Sequence, residues 1–225
     1  MTLELVVARH REDLSWLRRV PRDIRIFVYD KSGAAAPGAI ALPNIGREAH
    51  TYLFHIATRY DALADVTVFV QGRPFDHAPD LHKRLRALSS GQESVADFRW
   101  LGFLVDEDDE TGSRLFQTWS KNTERRPLNM AEFWRLVFGS EPMPDRFVFF
   151  GGAQFAVTRE IAHRRPRKFY EAALQIAGSF PDAAHCFERV WDRMFGVDGI
   201  PESIRGRPLP YYLKPIRRLG GAPAH

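Results

Sequence analysis

The sequence predicts an α/β protein in which a mixed, mostly parallel sheet is flanked by helices within one domain. Three short runs rich in β-branched and aromatic residues read as strands: "LELVVAR" (Leu3–Arg9), "IRIFVYD" (Ile24–Asp30) and "VTVFVQG" (Val66–Gly72). Segments at helical spacing alternate with them, the pattern of βαβ units around a parallel sheet. A chain of 225 residues without an internal repeat or a linker suits one domain of ordinary size.

Taken in order, "REDLSWLRRV" after the first run has helical spacing. A loop rich in Gly, Ala and Pro follows the second run and leads to "LPNIGREAHTYLFHI" (Leu42–Ile56). From there Ala49, Tyr52, Leu53, Ile56, Ala57 and Tyr60 recur at i, i+3, i+4, i+7, i+8 and i+11, an apolar stripe that faces a sheet. Asn44 is suited to cap this helix. Gly46 in its first turn costs about 1 kcal/mol relative to Ala, which suits a backbone that a ligand approaches. "HAPDLHKRLRALSS" reads as a helix, "FRWLGFLV" (Phe98–Val105) as a strand and "DEDDE" (Asp106–Glu110) as an acidic loop. "LNMAEFWRLVFG" is a short helix capped by Asn129 and stopped by Gly139. "RFVFFGGAQFAVTRE" reads as a strand, a glycine turn and a second strand or helix start, after which Pro166 interrupts the helical pattern. "DAAHCFERVWDRMFG" is a final amphipathic helix ending at Gly196. Residues 1–200 make the domain, and 201–225, rich in Pro and Gly, an extended tail.

Composition excludes several classes. With 44% hydrophobic and 12% aromatic residues the chain can build a sizeable core and is not a disordered polymer. The formal net charge is +4, and only five of the 32 cationic residues are Lys. Arg grips phosphates and carboxylates through planar, bidentate contacts, so an anionic ligand is reasonable, although a bias toward Arg codons gives the same count. These Arg residues are scattered and form no nucleic-acid motif, so no nucleic-acid partner is expected. Cys186 is the only cysteine, which excludes an internal disulfide and a zinc site built from several thiolates. No secretory segment and no apolar run of about 20 residues is present, so a cytoplasmic protein without a transmembrane segment is expected.

Candidate site residues follow from the rule that open parallel sheets bind ligands beyond the carboxyl ends of their strands. The three strands end in Arg9-His10, Asp30-Lys31 and Gln71-Gly72-Arg73. Asn44, Gly46, Arg47 and Glu48 fall at the same edge, where free amides at a helix start favour anions. His50 lies beside the apolar stripe of that helix. In "QGRPFDH", Asp76 and His77 suit acid/base chemistry or metal ligation, while Pro74 also suits a plain turn. Gly151 and Gly152 permit close backbone approach, and Gln154 lies just beyond them. Glu188 and Arg189 suit either catalysis or an ion pair. "DEDDE" could hold a hard cation, and "RRPRKFY" could meet a phosphate; solvated surface is the plainer reading of both.

"ELVVARHREDLSWL", "LPNIGREAHTYLFHI", "DVTVFVQGRPFDH", "GAQFAVTRE", "RPRKFYEAAL" and "FERVWDRMFG" together resemble domain-of-unknown-function family 3431, from about Leu3 to Gly196. More distantly, the order of strands and the "N-x-G-R-E" helix start are similar to the nucleotide-sugar half of GT-A glycosyltransferases, including a rhamnan-synthesis family with an N-x-G-R-[DE] stretch. That resemblance implies a GT-A-like (Rossmann-like) fold and places Arg9, Asp30 and Asn44 near a nucleotide. It puts Gln71, Gly72 and Arg73 where those enzymes carry an acidic motif for Mn²⁺ or Mg²⁺. Gln71 is neutral and Gly72 has no side chain, so the expected cation lacks its carboxylate unless Asp76 supplies one. A metal-independent transferase would rely on Arg47 and Arg73 to stabilise a diphosphate leaving group. Asp76, His77 and Glu188 are the candidates to deprotonate an acceptor hydroxyl. The expectation is a glycosyltransferase acting on a nucleotide sugar and a glycan or small-molecule acceptor. The alternative is a non-catalytic carbohydrate- or nucleotide-binding protein on the same scaffold. A methyltransferase is the weaker third, since no G-x-G loop follows the first strand.

Overall fold

A computed structural model describes residues 1–213 except 119, 121 and 123. The chain runs β1 (Leu3–Arg9), β2 (Arg25–Asp30), β3 (Ile40–Ala41), α1 (Arg47–Arg59), β4 (Val66–Gln71), α2 (Leu81–Ser89), β5 (Phe98–Trp100) and β6 (Leu104–Asp108). It continues through α3 (Met130–Phe138), β7 (Phe147–Phe150), β8 (Phe155–Thr158), α4 (Arg159–Ala162), α5 (Arg167–Ser179), α6 (Ala183–Glu188), α7 (Trp191–Met194) and β9 (Tyr211–Tyr212).

Six strands form one sheet in the order β3-β2-β1-β4-β8-β5. The first four are parallel, β8 runs antiparallel to β4, and β5 antiparallel to β8. A small antiparallel sheet, β7-β6-β9, lies beside it. The α/β expectation therefore holds, as a single domain with a mixed, mostly parallel sheet. The order doubles back at β1, whose neighbours are β2 on one side and β4 on the other. A crevice at the carboxyl edge of such a switch point is where open sheets place ligands.

Alternation along the strands feeds two cores. Val6, Phe69 and Phe155 face α1 and the later helices, with Tyr52 and Trp191 packed among them. Leu5, Val7, Val68 and Val70 face Trp16 and α2. Burying each of these large side chains contributes roughly 1.5–3 kcal/mol. Glu4 breaks the apolar run of β1 yet is fully buried. Its carboxylate accepts from Thr67 Oγ1 (2.8 Å), Ala64 N (3.2 Å) and Arg25 Nη2 (2.7 Å), and lies 3.1 Å from His55 Nε2. Burial would raise the carboxyl, but bonds from His55, Thr67 and Ala64 outweigh it and hold it at about 2. Burial holds His55 below its ordinary value, so a neutral ring donates to Glu4 and accepts from Tyr29 Oη, 2.9 Å from Nδ1.

Several sequence expectations need correction. "REDLSWLRRV" forms only a short 3₁₀ turn, Ser15–Arg19. The Glu12 and Asp13 carboxylates accept from the amides of His10, Arg11 and Ser15, competing with helix formation. "FRWLGFLV" is divided between β5 and β6, which belong to different sheets, because the Leu101 amide bonds Gln154 O just before β8 while the Phe103 amide turns to His77 O. "DEDDE" starts within β6 rather than in a loop. Pro166 does interrupt the helical pattern, between α4 and α5, but it is also the N-cap of α5, a second helix that the pattern did not predict. The final helix is two, α6 and α7, separated at Arg189-Val190. Of the stretch read as a tail, Ile204 is buried and Tyr211–Tyr212 pair with β6, while 214–225 lie outside the described residues. Cys186 is buried, and burial pushes its thiol up to about 12, consistent with an inert side chain. Among the described residues no helix is long and apolar enough to cross a membrane.

Candidate active site at the carboxyl edge of the sheet

The ends of β1 and β2 supply Arg9, Asp30 and Lys31. Asp30 is buried and ion-paired with Arg9, and accepts from the amides of Ser32 and Ala36, each at 2.9 Å. Burial alone would raise its carboxyl; these donors and Arg9 hold it instead at about 2. Lys31 is buried as well, with Nζ donating to Ile45 O at 2.5 Å and to Arg47 O. Burial draws its pKa down to about 8, against the opposing pull of Glu48. Lys31 thus clamps the segment entering α1 onto the sheet.

That segment explains its glycine. Gly46 is the N-cap of α1 at φ +58°, no side chain caps the helix, and Asn44 is exposed two residues earlier. The capping role expected for Asn44 is therefore not taken up. A Cβ on Gly46 would lie 2.1 Å from Ala177 O of α5, so the close approach expected of a ligand is made by a neighbouring helix. Arg47 follows, also at positive φ (48°), with an exposed side chain. Its Nη1 lies 3.2 Å from His185 Nε2 and its Nε 3.8 Å from Glu48 Oε2. The Glu48 side chain is only 10% exposed. Burial raises its carboxyl; Arg47 opposes this and the charge of Glu188 adds to it. One turn along, Tyr52 is fully buried and its hydroxyl has no hydrogen-bond partner among the described residues. Burial, with Glu48 and Glu188 adding, raises that phenol well above its usual range.

The opposite wall is α6. Glu188 Oε1 accepts from Gly152 N at 2.6 Å, and its Oε2 lies 4.0 Å from His185 Nδ1. Gly152 sits at φ +92°, and a Cβ there would meet His77 Cγ at 2.3 Å; the close approach at this glycine is made by His77. Arg189 turns the other way, into a buried pair with Asp108 of β6 at 2.6 Å, and donates to His185 O at 2.6 Å. The ion pair expected around Arg189 is therefore with Asp108, and it fixes the helix carrying His185 and Glu188 to the small sheet.

The structure thus brings Arg47, Glu48, Glu188 and Gly152 together, with His77 alongside. Other sequence candidates lie elsewhere. Gly72 donates to Ala8 O at 2.7 Å, and a Cβ on it would lie 2.7 Å from Glu12 Oε2; Gln71 beside it is half-buried. Arg73 and Asp76 form an exposed pair at 3.3 Å. Gln154 is fully buried, its amide donating to Pro74 O at 2.9 Å while Oε1 has no partner among the described residues. His50 is buried with its ring stacked on Phe54, and burial, with Lys31 adding, lowers it to about 4. In the sequence Lys31 is only a strand-end residue, Tyr52 only a member of the apolar stripe, and His185 lies in no motif. The signals existed: Glu48 and Tyr52 are spaced i, i+4, and His185 and Glu188 i, i+3, each pair on one helix face.

Where an Mn²⁺ or Mg²⁺ motif would fall, Gln71 and Gly72 offer no carboxylate and Asp76 is paired with Arg73, so these residues do not fit a divalent cation. Among the described residues no group of three or more His, Cys, Asp or Glu side chains could hold a metal ion. A surface recess of about 600 Å³ lies away from this cluster, lined by Asp80, Lys83, Arg84, Gln92, Glu93, Ser94 and Arg99. Four of its charges are paired within it, Arg84 with Asp80 and Arg99 with Glu93, so volume is a poorer guide to chemistry here than the buried polar cluster.

A search of curated proteins returns no match to the chain. A family model described as "Protein of unknown function (DUF3431)" matches residues 5–203, a span that includes the carboxyl end of β1, all of α1 and the α6 wall of the cluster. The strand ends that build the edge and the helices that carry its polar groups fall inside one family match, and the chain belongs to that family of unknown function.

Proposed function

We propose that this chain is a glycosyltransferase-like enzyme that moves a sugar from a nucleotide-sugar donor to a hydroxyl acceptor at the carboxyl edge of β1 and β4. The observation that carries the reading is the convergence of Arg47, Glu48, Tyr52, His185 and Glu188 from two helices beside the topological switch point. An exposed guanidinium next to a buried carboxyl with a raised pKa supplies what such a transfer needs. The cation stabilises a diphosphate leaving group, and the buried groups handle a proton. The absent carboxylate at Gln71-Gly72 supports a cationic rather than a metal-centred treatment of the diphosphate.

A second reading, a binding protein without turnover, draws on the internal pairing of Arg9 with Asp30 and of Arg73 with Asp76. One measurement separates the two. UDP- or GDP-sugars at a hundredfold excess over their Kd should raise Tm by about 5–10 °C. An enzyme should also release free sugar slowly when no acceptor is present. Binding without hydrolysis or transfer over a panel of acceptors selects the binding protein. The absence of any shift, with or without Mn²⁺, rejects both.

A further inference from the structure

We infer that His185 is the proton acceptor for the sugar-accepting hydroxyl, that Glu188 positions it, and that Arg47 masks it until the donor's diphosphate draws the guanidinium away. The inference rests on the transferase reading above and gives that cluster an order of events.

The geometry assigns the tautomer. Arg47 Nη1 stands 3.2 Å from His185 Nε2, and a guanidinium can only donate, so Nε2 carries the lone pair. The ring proton is then on Nδ1, which faces Glu188 Oε2 at 4.0 Å. Glu188 is itself held in place through Oε1 by the Gly152 amide at 2.6 Å. Carboxylate, imidazole and a nitrogen lone pair therefore follow one another across α6 in the order a general base needs; at 4.0 Å the carboxylate acts on the ring through its charge rather than through a hydrogen bond. The lone pair is engaged by the only one of these groups whose side chain is largely exposed: Arg47 is 63% accessible, against 24% and 21% for His185 and Glu188.

The surroundings suit a neutral base. Burial lowers the imidazole from its ordinary value; Glu188 and Asp182 oppose this, while Arg47 and Arg189 reinforce it. Phe116 packs edge-on against the ring, with centroids 5.0 Å apart. Departure of Arg47 removes one of the two cations that disfavour protonation and frees the lone pair in the same movement.

In the transfer, the acceptor hydroxyl gives its proton to Nε2 while its oxygen bonds the anomeric carbon of the donor. The bond from that carbon to the diphosphate oxygen breaks, and its electron pair leaves on the nucleoside diphosphate, which Arg47 neutralises. His185 becomes an imidazolium whose Nδ1–H faces the Glu188 carboxylate, and the proton then passes to solvent.

The masking is tested without turnover. Carbethoxylation of His185 by diethyl pyrocarbonate, followed by peptide mapping, reads how available Nε2 is. Loss of one charge-assisted hydrogen bond should raise the rate about tenfold in Arg47→Asn, a residue that tolerates the positive φ at this position. UDP or GDP should raise it in the wild type. Unchanged reactivity in an Arg47→Asn protein of native circular dichroism overturns the masking. Unmasking in that variant with no response of the wild type to UDP or GDP keeps the arrangement and instead rejects the nucleotide-sugar reading. The catalytic part is tested by His185→Gln, which should keep nucleotide binding by calorimetry and lose at least about a hundredfold in kcat, the usual worth of a general base. Retained turnover overturns the assignment. Glu188→Gln should move the acidic limb of the pH–rate profile to lower pH, and a profile that falls without moving would make Glu188 structural only.

Discussion

At Gly46 a φ of +58° and a Cβ direction aimed at the Ala177 carbonyl leave no room for a side chain. Gly46→Ala should cost more than about 2 kcal/mol, from the left-handed backbone and the overlap with α5 together, read from the urea midpoint. From sequence alone the glycine was legible as unusual, but its neighbour was not, because Ala177 lies far along the chain. Glu48 behaves in the opposite sense. Its folded carboxyl titrates above its unfolded value, so its contribution to stability is full at low pH and is lost as pH rises through the folded pKa. Glu48→Gln should therefore raise Tm at pH 8 and change it little at pH 4, a profile calorimetry can follow. Side chains that cost stability in this way are characteristic of functional sites rather than of folding.

Among the elements, β1, β2, β4 and α1 were readable because each carries its own periodicity, period two in the strands and the 3.6-residue stripe from Ala49 to Tyr60. The break between α6 and α7 was not readable, since Arg189 is committed to Asp108, 81 residues away. Both side chains are almost wholly inaccessible, so removing one leaves a buried charge. Arg189→Met should destabilise the fold by about 3–5 kcal/mol. Pairing it with Asp108→Leu should recover most of the loss, and a denaturation series on the two single variants and the double variant measures the coupling. α5 was hidden for another reason. Its stripe of Tyr170, Ala173 and Ala177 is made mostly of small residues, and Pro166 reads as a stop although it serves as a start.

Over the whole molecule, the alternation of runs was enough for the fold class, and the strand-end rule points to the sheet edge at which the proposed site lies. It could not say which polar residues meet there, because Arg47 and His185 become neighbours only through the docking of α1 on α5 and α6. The sequence candidates on the β4 side turned out to be engaged in local turns and an ion pair, whereas the α6 wall comes from the last third of the chain. The Lys31 clamp and the late position of α5 also bear on how the chain matures. The strands of the six-stranded sheet, α1 and the clamp over Ile45 and Arg47 all precede α5 in the chain, so the surface of α1 that receives α5 is synthesised before its partner. Until Arg167–Ser179 leaves the ribosome, that apolar helix face lacks its partner, and uncovered apolar surface of this kind invites unwanted association. The proposed proton acceptor arrives later still, with α6, so the candidate catalytic group joins the edge only after β1, β2, β4 and α1 have been made.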